Sequence, residues 1–484
     1  YATKDMETMP RRGVVYALAP SYKDINTLWA GTDDGYIQVT RDGGKTWQNV
    51  TPPELKSWAK VSIMDAGRFD ADTAYAAINT FRLDDLRPHI FRTHDGGKTW
   101  KEIVNGIPDG GIVNVVREDP VRKGLLYCGT EQAVYFSTDD GDNWQPLRLN
   151  MPATSIRDLV VKDDDIVVGT HGRSFWILDD VTPLRQIEGN TKSASAVLFA
   201  PERATRVKRS VHTDTPFPPE EPAGQNPPDG AIINYYLKEP SKTPILLEIT
   251  DSNGKLVRRF ASDDKPLDVD MTRVNPPDYW VRPFQPLKNE AGMQRFVWDL
   301  LYPNPPSDRY DLPISAIYKD TPFVPQGPAV LPGIYTLKLT VNGKAYTQTL
   351  NVRIDPRVTT TAAGLKQQFD LSIQAYNGII RARTLTEEVN KRIAELEKSQ
   401  PSSPELPKLK AMLGGGQQRG GGGGAVEVAD FPLGRLAGTF TQLLDLLQDA
   451  DVAPSTQAVA AAKDLQTAMA KAEKSWADIS SGKP

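Results

Sequence analysis

An eight-residue pattern that recurs three times in the first third of the chain constrains the fold more than any other feature. It reads Thr40-Arg41-Asp42-Gly43-Gly44-Lys45-Thr46-Trp47, then Thr93-His94-Asp95-Gly96-Gly97-Lys98-Thr99-Trp100, then Ser137-Thr138-Asp139-Asp140-Gly141-Asp142-Asn143-Trp144. The shared content is hydroxyl, any, Asp, any, Gly, any, Thr or Asn, Trp, and a run of β-forming residues leads into each copy. Asp caps its own turn, Gly supplies the φ > 0 position and Trp opens the following strand, so each octet predicts a turn between two strands.

The copies begin at residues 40, 93 and 137, the spacing of one four-stranded propeller blade. Upstream runs repeat in the same order. Gly13–Ala19, Asn26–Thr32 and Tyr36–Thr40 read as three strands of the first blade, Val61–Met64, Thr73–Ile78 and His89–Arg92 of the second, and Ile112–Val116, Leu125–Gly129 and Ala133–Phe136 of the third. A fourth unit, Ile156–Val161, Asp165–Thr170 and Ser174–Leu178, ends in Asp179-Asp180 without an octet. Four blades of this long-repeat kind do not close a ring, so residues 1–186 read as the last blades of a β-propeller. The expected partner is a set of upstream blades, from the same protein or another chain.

Residues 187–357 change character, with Pro-rich loops between short alternating strands. Hairpins are predicted around Asp251-Ser252-Asn253-Gly254 and Asn342-Gly343, and Trp298 lies in a strand-like run, which together predict a β-sandwich. The stretches 262–290 and 303–331 lack periodicity. From 358 to 484 the period is helical: Leu365, Phe369, Ile373, Tyr376, Ile380, Val389, Ile393 and Leu396 mark one long helix. Gly414 to Ala425 reads as a Gly-rich linker, and two further helices carry Leu436 to Leu447 and Val459 to Trp476. A helical hairpin or bundle follows, and with it a possible route to a homo-oligomer.

The octet resembles the Asp-box of the BNR-repeat propellers found in sialidases, xyloglucan-degrading glycosidases and sortilin-type receptors. Gly169-Thr170-His171-Gly172-Arg173-Ser174-Phe175-Trp176 further resembles the last-blade segment of bacterial sortilin-like proteins, often labelled glycosyl hydrolases, in which an Ig-like module follows. The resemblance implies a secreted or periplasmic bacterial protein. It also implies a structural role for Asp42, Gly44, Trp47, Asp95, Gly97, Trp100, Asp139, Gly141 and Trp144, with the ligand face at the opposite loops. Those loops carry Asp33, Asp34, Arg82, Asp84, Asp85, Arg87, His89, Glu131, Gln132, His171 and Arg173, and the first-strand starts add Arg12, Lys60, Asn114 and Arg157.

Two functions remain open. One is a binding or scaffold protein taking a peptide or glycan on Arg82, Arg87, His89, Glu131, His171 and Arg173. The other is a glycoside hydrolase using Asp33, Asp84 or Asp85 as paired carboxylates. The Phe/Tyr-Arg-Ile-Pro stretch of sialidases is missing, and no Cys/His metal spacing, nucleophile elbow or Walker loop occurs, so neither metal nor cofactor is expected. With 57 Lys and Arg against 61 Asp and Glu there is no nucleic-acid footprint, and no apolar run reaches the length of a membrane span. Cys128, the single cysteine, lies in a strand-like run and reads as a buried thiol.

Overall fold

The computed structural model describes residues 10–189, 191, 193–209, 215–218, 220–221, 224–267, 277–307, 316–322, 324–414 and 431–481. Two compact units divide at Ser193/Ala194. The chain is mainly β, with several sheets and a few helices at its C-terminal end.

In the first unit each expected blade is one antiparallel sheet with its strands in chain order. Sheet 1 holds β1 (Val15–Pro20), β2 (Leu28–Thr32), β3 (Ile37–Thr40) and β4 (Gln48–Asn49); sheet 2 holds β5 (Lys60–Ala66), β6 (Ala74–Asn79), β7 (His89–Thr93) and β8 (Lys101–Glu102). Sheet 3 holds β9 (Val113–Glu118), β10 (Leu126–Thr130), β11 (Val134–Ser137) and β12 (Gln145–Pro146). Sheet 4 has three strands, β13 (Ile156–Lys162), β14 (Asp165–Thr170) and β15 (Phe175–Leu178), because the octet that turns the other sheets into a fourth strand is missing there. A short helix α1 (Thr182–Gln186) follows.

The first strands β1, β5, β9 and β13 lie side by side in that order. Successive sheets stack face to face, and a separate apolar core fills each gap: Trp29 and Ile37 meet Val61 and Met64, Tyr75 and Ile90 meet Val113 and Val116, and Tyr127 and Val134 meet Ile156 and Leu159. Alternation sends odd and even residues of each second strand to opposite neighbours, which explains why β6 and β10 are buried along their whole length. Cys128 is buried in the second of these cores, and burial pushes its thiol pKa well up.

The second unit begins with β16 (Ala196–Leu198), β17 (Ala204–Arg206), β18 (Ala231–Leu237), β19 (Leu246–Thr250), β20 (Leu256–Ala261), β21 (Gly292–Trp298), β22 (Gly333–Val341) and β23 (Lys344–Ile354). They form a three-stranded sheet, β16-β18-β21, and a five-stranded one, β17-β23-β22-β19-β20, around one hydrophobic core. Trp298 is fully buried there, edge-on to Tyr335 at 5.8 Å. The β22–β23 hairpin turns through Asn342 and Gly343, both at positive φ as a two-residue turn of this hand requires. Parts of the two aperiodic stretches, residues 268–276, 308–315 and 323, lie outside the described residues.

Among the described residues four helices complete this unit: α2 (Ala362–Ser399), α3 (Glu405–Leu413), α4 (Leu433–Gln448) and α5 (Thr456–Ser480). Thr361 and Ser455 cap α2 and α5 through their side-chain oxygens. All four share one core. Helix α3 was not expected from the sequence, being nine residues long with Pro407 in its first turn, too short to show a period. Gly414 ends it in a left-handed conformation, and the rest of the Gly-rich stretch lies outside the described residues. Arg206 and Asp451, both buried, join strand to helical segment at 2.5 Å.

Candidate functional site

Antiparallel order places the two ends of each sheet in different chemical settings. One end carries the octets. In the first, the Thr40 hydroxyl donates to Asp42 Oδ1 at 2.8 Å and accepts from Gly44 N at 3.0 Å. Thr46 N–H donates to Asp42 Oδ1 at 2.9 Å and its hydroxyl to Oδ2 at 2.6 Å. The second and third octets repeat the set around Asp95 and Asp139, Asn143 replacing the threonine through its amide. Hydrogen bonds from Thr46 and from Thr99 hold Asp42 and Asp95 down at about 2. These carboxylates are consumed by their own turns, as structural residues are.

The opposite end, which we call the rim, gathers the first-strand starts and the loops after each second strand. Arg82 faces Asp33 at 3.8 Å across sheets 2 and 1. Lys60 Nζ sits over the Tyr16 ring, 3.5 Å from its centre, and lowers the phenol pKa below its ordinary value, helped by Arg82 and Arg157. A chain of contacts then crosses three sheets. Asn79 Nδ2 donates to Asn114 Oδ1 at 2.9 Å; Asn114 Nδ2 donates to Glu131 Oε1 and to the Ile156 carbonyl, both at 3.0 Å. Glu131 pairs with Arg157 at 3.1 Å, and Arg157 reaches His171 Nδ1 at 3.4 Å.

Of the residues singled out from the sequence, Asp33, Lys60, Arg82, Asn114, Glu131, Arg157 and His171 therefore meet along the rim. Arg173 is exposed beside them, while its backbone N–H bonds Thr170 Oγ1 and its carbonyl accepts from the Trp176 indole at 2.9 Å. Asp34 is buried and structural, accepting from Gly13 N at 2.8 Å and from the Thr32 hydroxyl at 2.6 Å. Tyr16 and Asn79 were missed. Both sit where strand alternation suggests a core or edge position, and only the pairing of neighbouring sheets reveals their partners.

A second polar cluster lies around the β6–β7 loop. Asp85 is gripped by Arg87 at 2.9 and 2.6 Å, and that guanidinium drives its carboxyl far below the usual range. His89 bonds Glu102 through Nδ1 at 2.5 Å and lies 3.4 Å from Asp85 through Nε2. Asp84 follows a short 3₁₀ turn in the left-handed conformation. Among the described residues no group of His, Cys, Asp and Glu could hold a metal ion, and no helix is long and apolar enough to cross a membrane.

No family model and no curated protein sequence matches the chain. Solved structures with some likeness include YCF48 bound to D1 peptide, at 20% identity and a TM-score of 0.28, over 35% of this chain and 53% of that one. YCF48 from Cyanidioschyzon merolae matches at 21% identity, with a TM-score of 0.28, over 36% of this chain and 55% of that one. The Niastella koreensis GH74 enzyme matches at 17% identity with a TM-score of 0.28, over 32% of this chain and 26% of that one. The chain thus spans about half the length of the YCF48 proteins it matches, and likenesses of this size carry no argument about activity.

Proposed function

We propose that residues 10–193 belong to an Asp-box β-propeller of the bacterial sortilin-like kind, secreted or periplasmic, that binds a peptide or glycan bearing carboxylate groups at its rim. The Ig-like module and helices of the second unit serve as its scaffold. One observation carries the reading: Lys60, Arg82 and Arg157 come from two different sheets and three separate segments yet all bear on the Tyr16 phenol. Lys60 and Arg157 stand at first-strand starts and Arg82 on a short 3₁₀ turn, so the converging cations form a preorganised anion-binding edge. The hydrolase reading is the weaker one here. A glycosidase needs one carboxyl kept protonated near neutral pH, and Asp85 is shifted the other way by Arg87.

The test is equilibrium binding of the full chain to arrays of acidic and neutral peptides and of glycans, with Lys60→Ala and Arg157→Ala alongside. Expected is binding to acidic members that both variants lose. Equal binding of neutral members, or reducing-end release from a polysaccharide that Asp85→Asn abolishes, sinks the proposal.

A further inference from the structure

The three inter-sheet cores let every position in one sheet be matched to its counterpart in the next by register. Leu18 pairs with Ala30, Met64 with Ala76, Val116 with Cys128 and Leu159 with Val168. These four first-strand residues are equivalents, all turned toward the preceding sheet. Met64, Val116 and Leu159 are at most 2% exposed, and Leu18 is 57% exposed. Val15 likewise stands where Val61, Val113 and Ile156 are fully buried, and it is 63% exposed. On the face turned toward the following sheet, Phe175 of sheet 4 is equivalent to Ile37, Ile90 and Val134; those are at most 2% exposed, Phe175 is 79%.

The octets show the same vacancy with more specificity. Trp100 donates its indole N–H to the Val50 carbonyl at 2.7 Å and Trp144 to the Ile103 carbonyl at 2.8 Å, in each case the residue just past the fourth strand of the preceding sheet. A Cβ on Gly97 would strike Val50 at 2.7 Å, and one on Gly141 would strike Ile103 at 2.3 Å. The second and third octets are therefore each seated on an aliphatic residue that follows the preceding sheet's octet. Trp47 has no acceptor among the described residues and is 41% exposed, and a Cβ on Gly44 would meet only its own Trp47, at 4.0 Å.

We propose that the open faces of sheets 1 and 4 are the two halves of this same repeated interface, filled by a run of further Asp-box sheets carried outside residues 10–193. The inference rests on the propeller reading above and sharpens it. The seat that Trp47 and Gly44 need decides the occupant. It consists of an octet, a short fourth strand and an aliphatic residue with a free carbonyl, the arrangement of Val50 and Ile103. Sheet 4 of a second copy has neither octet nor fourth strand, so head-to-tail association of this chain leaves Trp47 unseated. Continuity with three existing interfaces, rather than apolar character alone, identifies the partner surface.

The experiment uses the full chain produced in its own cells, with the photo-crosslinking residue p-benzoylphenylalanine placed at Leu18, Trp47 or Phe175, and at exposed Lys162 as control. Cross-linked peptides are then mapped by mass spectrometry. Expected are products at the first three positions and none at Lys162. Their partner peptides come from Asp-box polypeptide outside residues 10–193, and position 47 maps just beyond the Trp of an octet. Leu18→Asp, made in the chain that carries the cross-linking residue at Trp47, alters an exposed position, leaves the chain folded and abolishes the product at position 47. Products mapping to residues 194–484, products mapping to sheets 1–4 of a second copy, or no products at all overturn the proposal. Binding of acidic peptides measured on the same preparations separates the two readings: ligand binding without closure removes only this one, closure without ligand binding only the other.

Discussion

The two ends of the same four sheets are built by opposite strategies. At the octet end, three turns repeat one set of hydrogen bonds whose donors and acceptors lie within eight residues of each other, so each Asp is satisfied locally. At the rim no two loops are alike, and the polar chain steps from one sheet to the next, as in Asn79 to Asn114 and Glu131 to Arg157. A turn whose Asp is satisfied within itself can be copied with only its Gly and Trp fitted to the neighbouring sheet. An edge that depends on its neighbours has to be specified residue by residue, and it is there that distinct chemistry accumulates.

The largest expected effect breaks the apparent equivalence of the octets. Trp144→Ala removes a buried indole from the core between sheets 2 and 3 together with its bond to Ile103, at a cost of about 3–5 kcal/mol. Trp47→Ala, chemically the same change in the same motif, alters a half-exposed ring and costs below about 1 kcal/mol. Urea unfolding of the two variants measures the difference; equal costs would mean that octet tryptophans stabilise their own turns rather than the neighbouring sheet.

This asymmetry also explains what was legible in the sequence. The octet, the strand runs before it and the helical period after residue 358 are local signals, and β1 to β15 and α2, α4 and α5 lie where those signals place strands and helices. Asp42 and its equivalents could be assigned to turns because their partners are four residues away or fewer. Asp34 could not be told from Asp33 by inspection: one is buried under Gly13 and Thr32, the other faces Arg82, and only tertiary pairing separates them. Tyr16 escaped for the same reason, since its partner Lys60 belongs to the next sheet. The short helix α3 carries too few turns for a period to register.

A second, smaller effect sharpens the contrast at the rim itself. Asn114 is buried, and Asn114→Ala strands the Asn79 amide and the Ile156 carbonyl, costing about 1–3 kcal/mol. Arg157→Ala, one contact further along the same chain, loses a half-exposed ion pair and changes stability by no more than about 1 kcal/mol. Denaturant titration should therefore separate a residue that builds the edge from one that presents it. Comparable losses for both would make the rim a structural seam.

The smallest effect distinguishes the octet carboxylates from the acids at the inner-strand ends near them, and it has a sign. Glu118 and Asp65 are buried at the ends of β9 and β5, where Glu118 accepts from Arg68 N at 2.7 Å and Asp65 from Glu118 N at 2.9 Å. Burial raises both pKa values, against the backbone hydrogen bonds that lower them, and for Glu118 the neighbouring Asp65 and Asp140 carboxylates add to the rise. A raised carboxyl favours the protonated folded state, so its contribution is complete below the unfolded value of roughly 4.3 and is lost as pH climbs through the folded value. Asp42 is the reverse case: held at about 2 by Thr46, it contributes above the unfolded value and loses that contribution as pH falls. Melting temperatures followed from acid to neutral pH should show Glu118→Gln flattening the profile on the neutral side of pH 4 and Asp42→Asn flattening it on the acid side. If both variants flatten the same side, the two ends of the comparison share one electrostatic design, and the division between self-satisfied turns and neighbour-dependent positions does not extend to their charges.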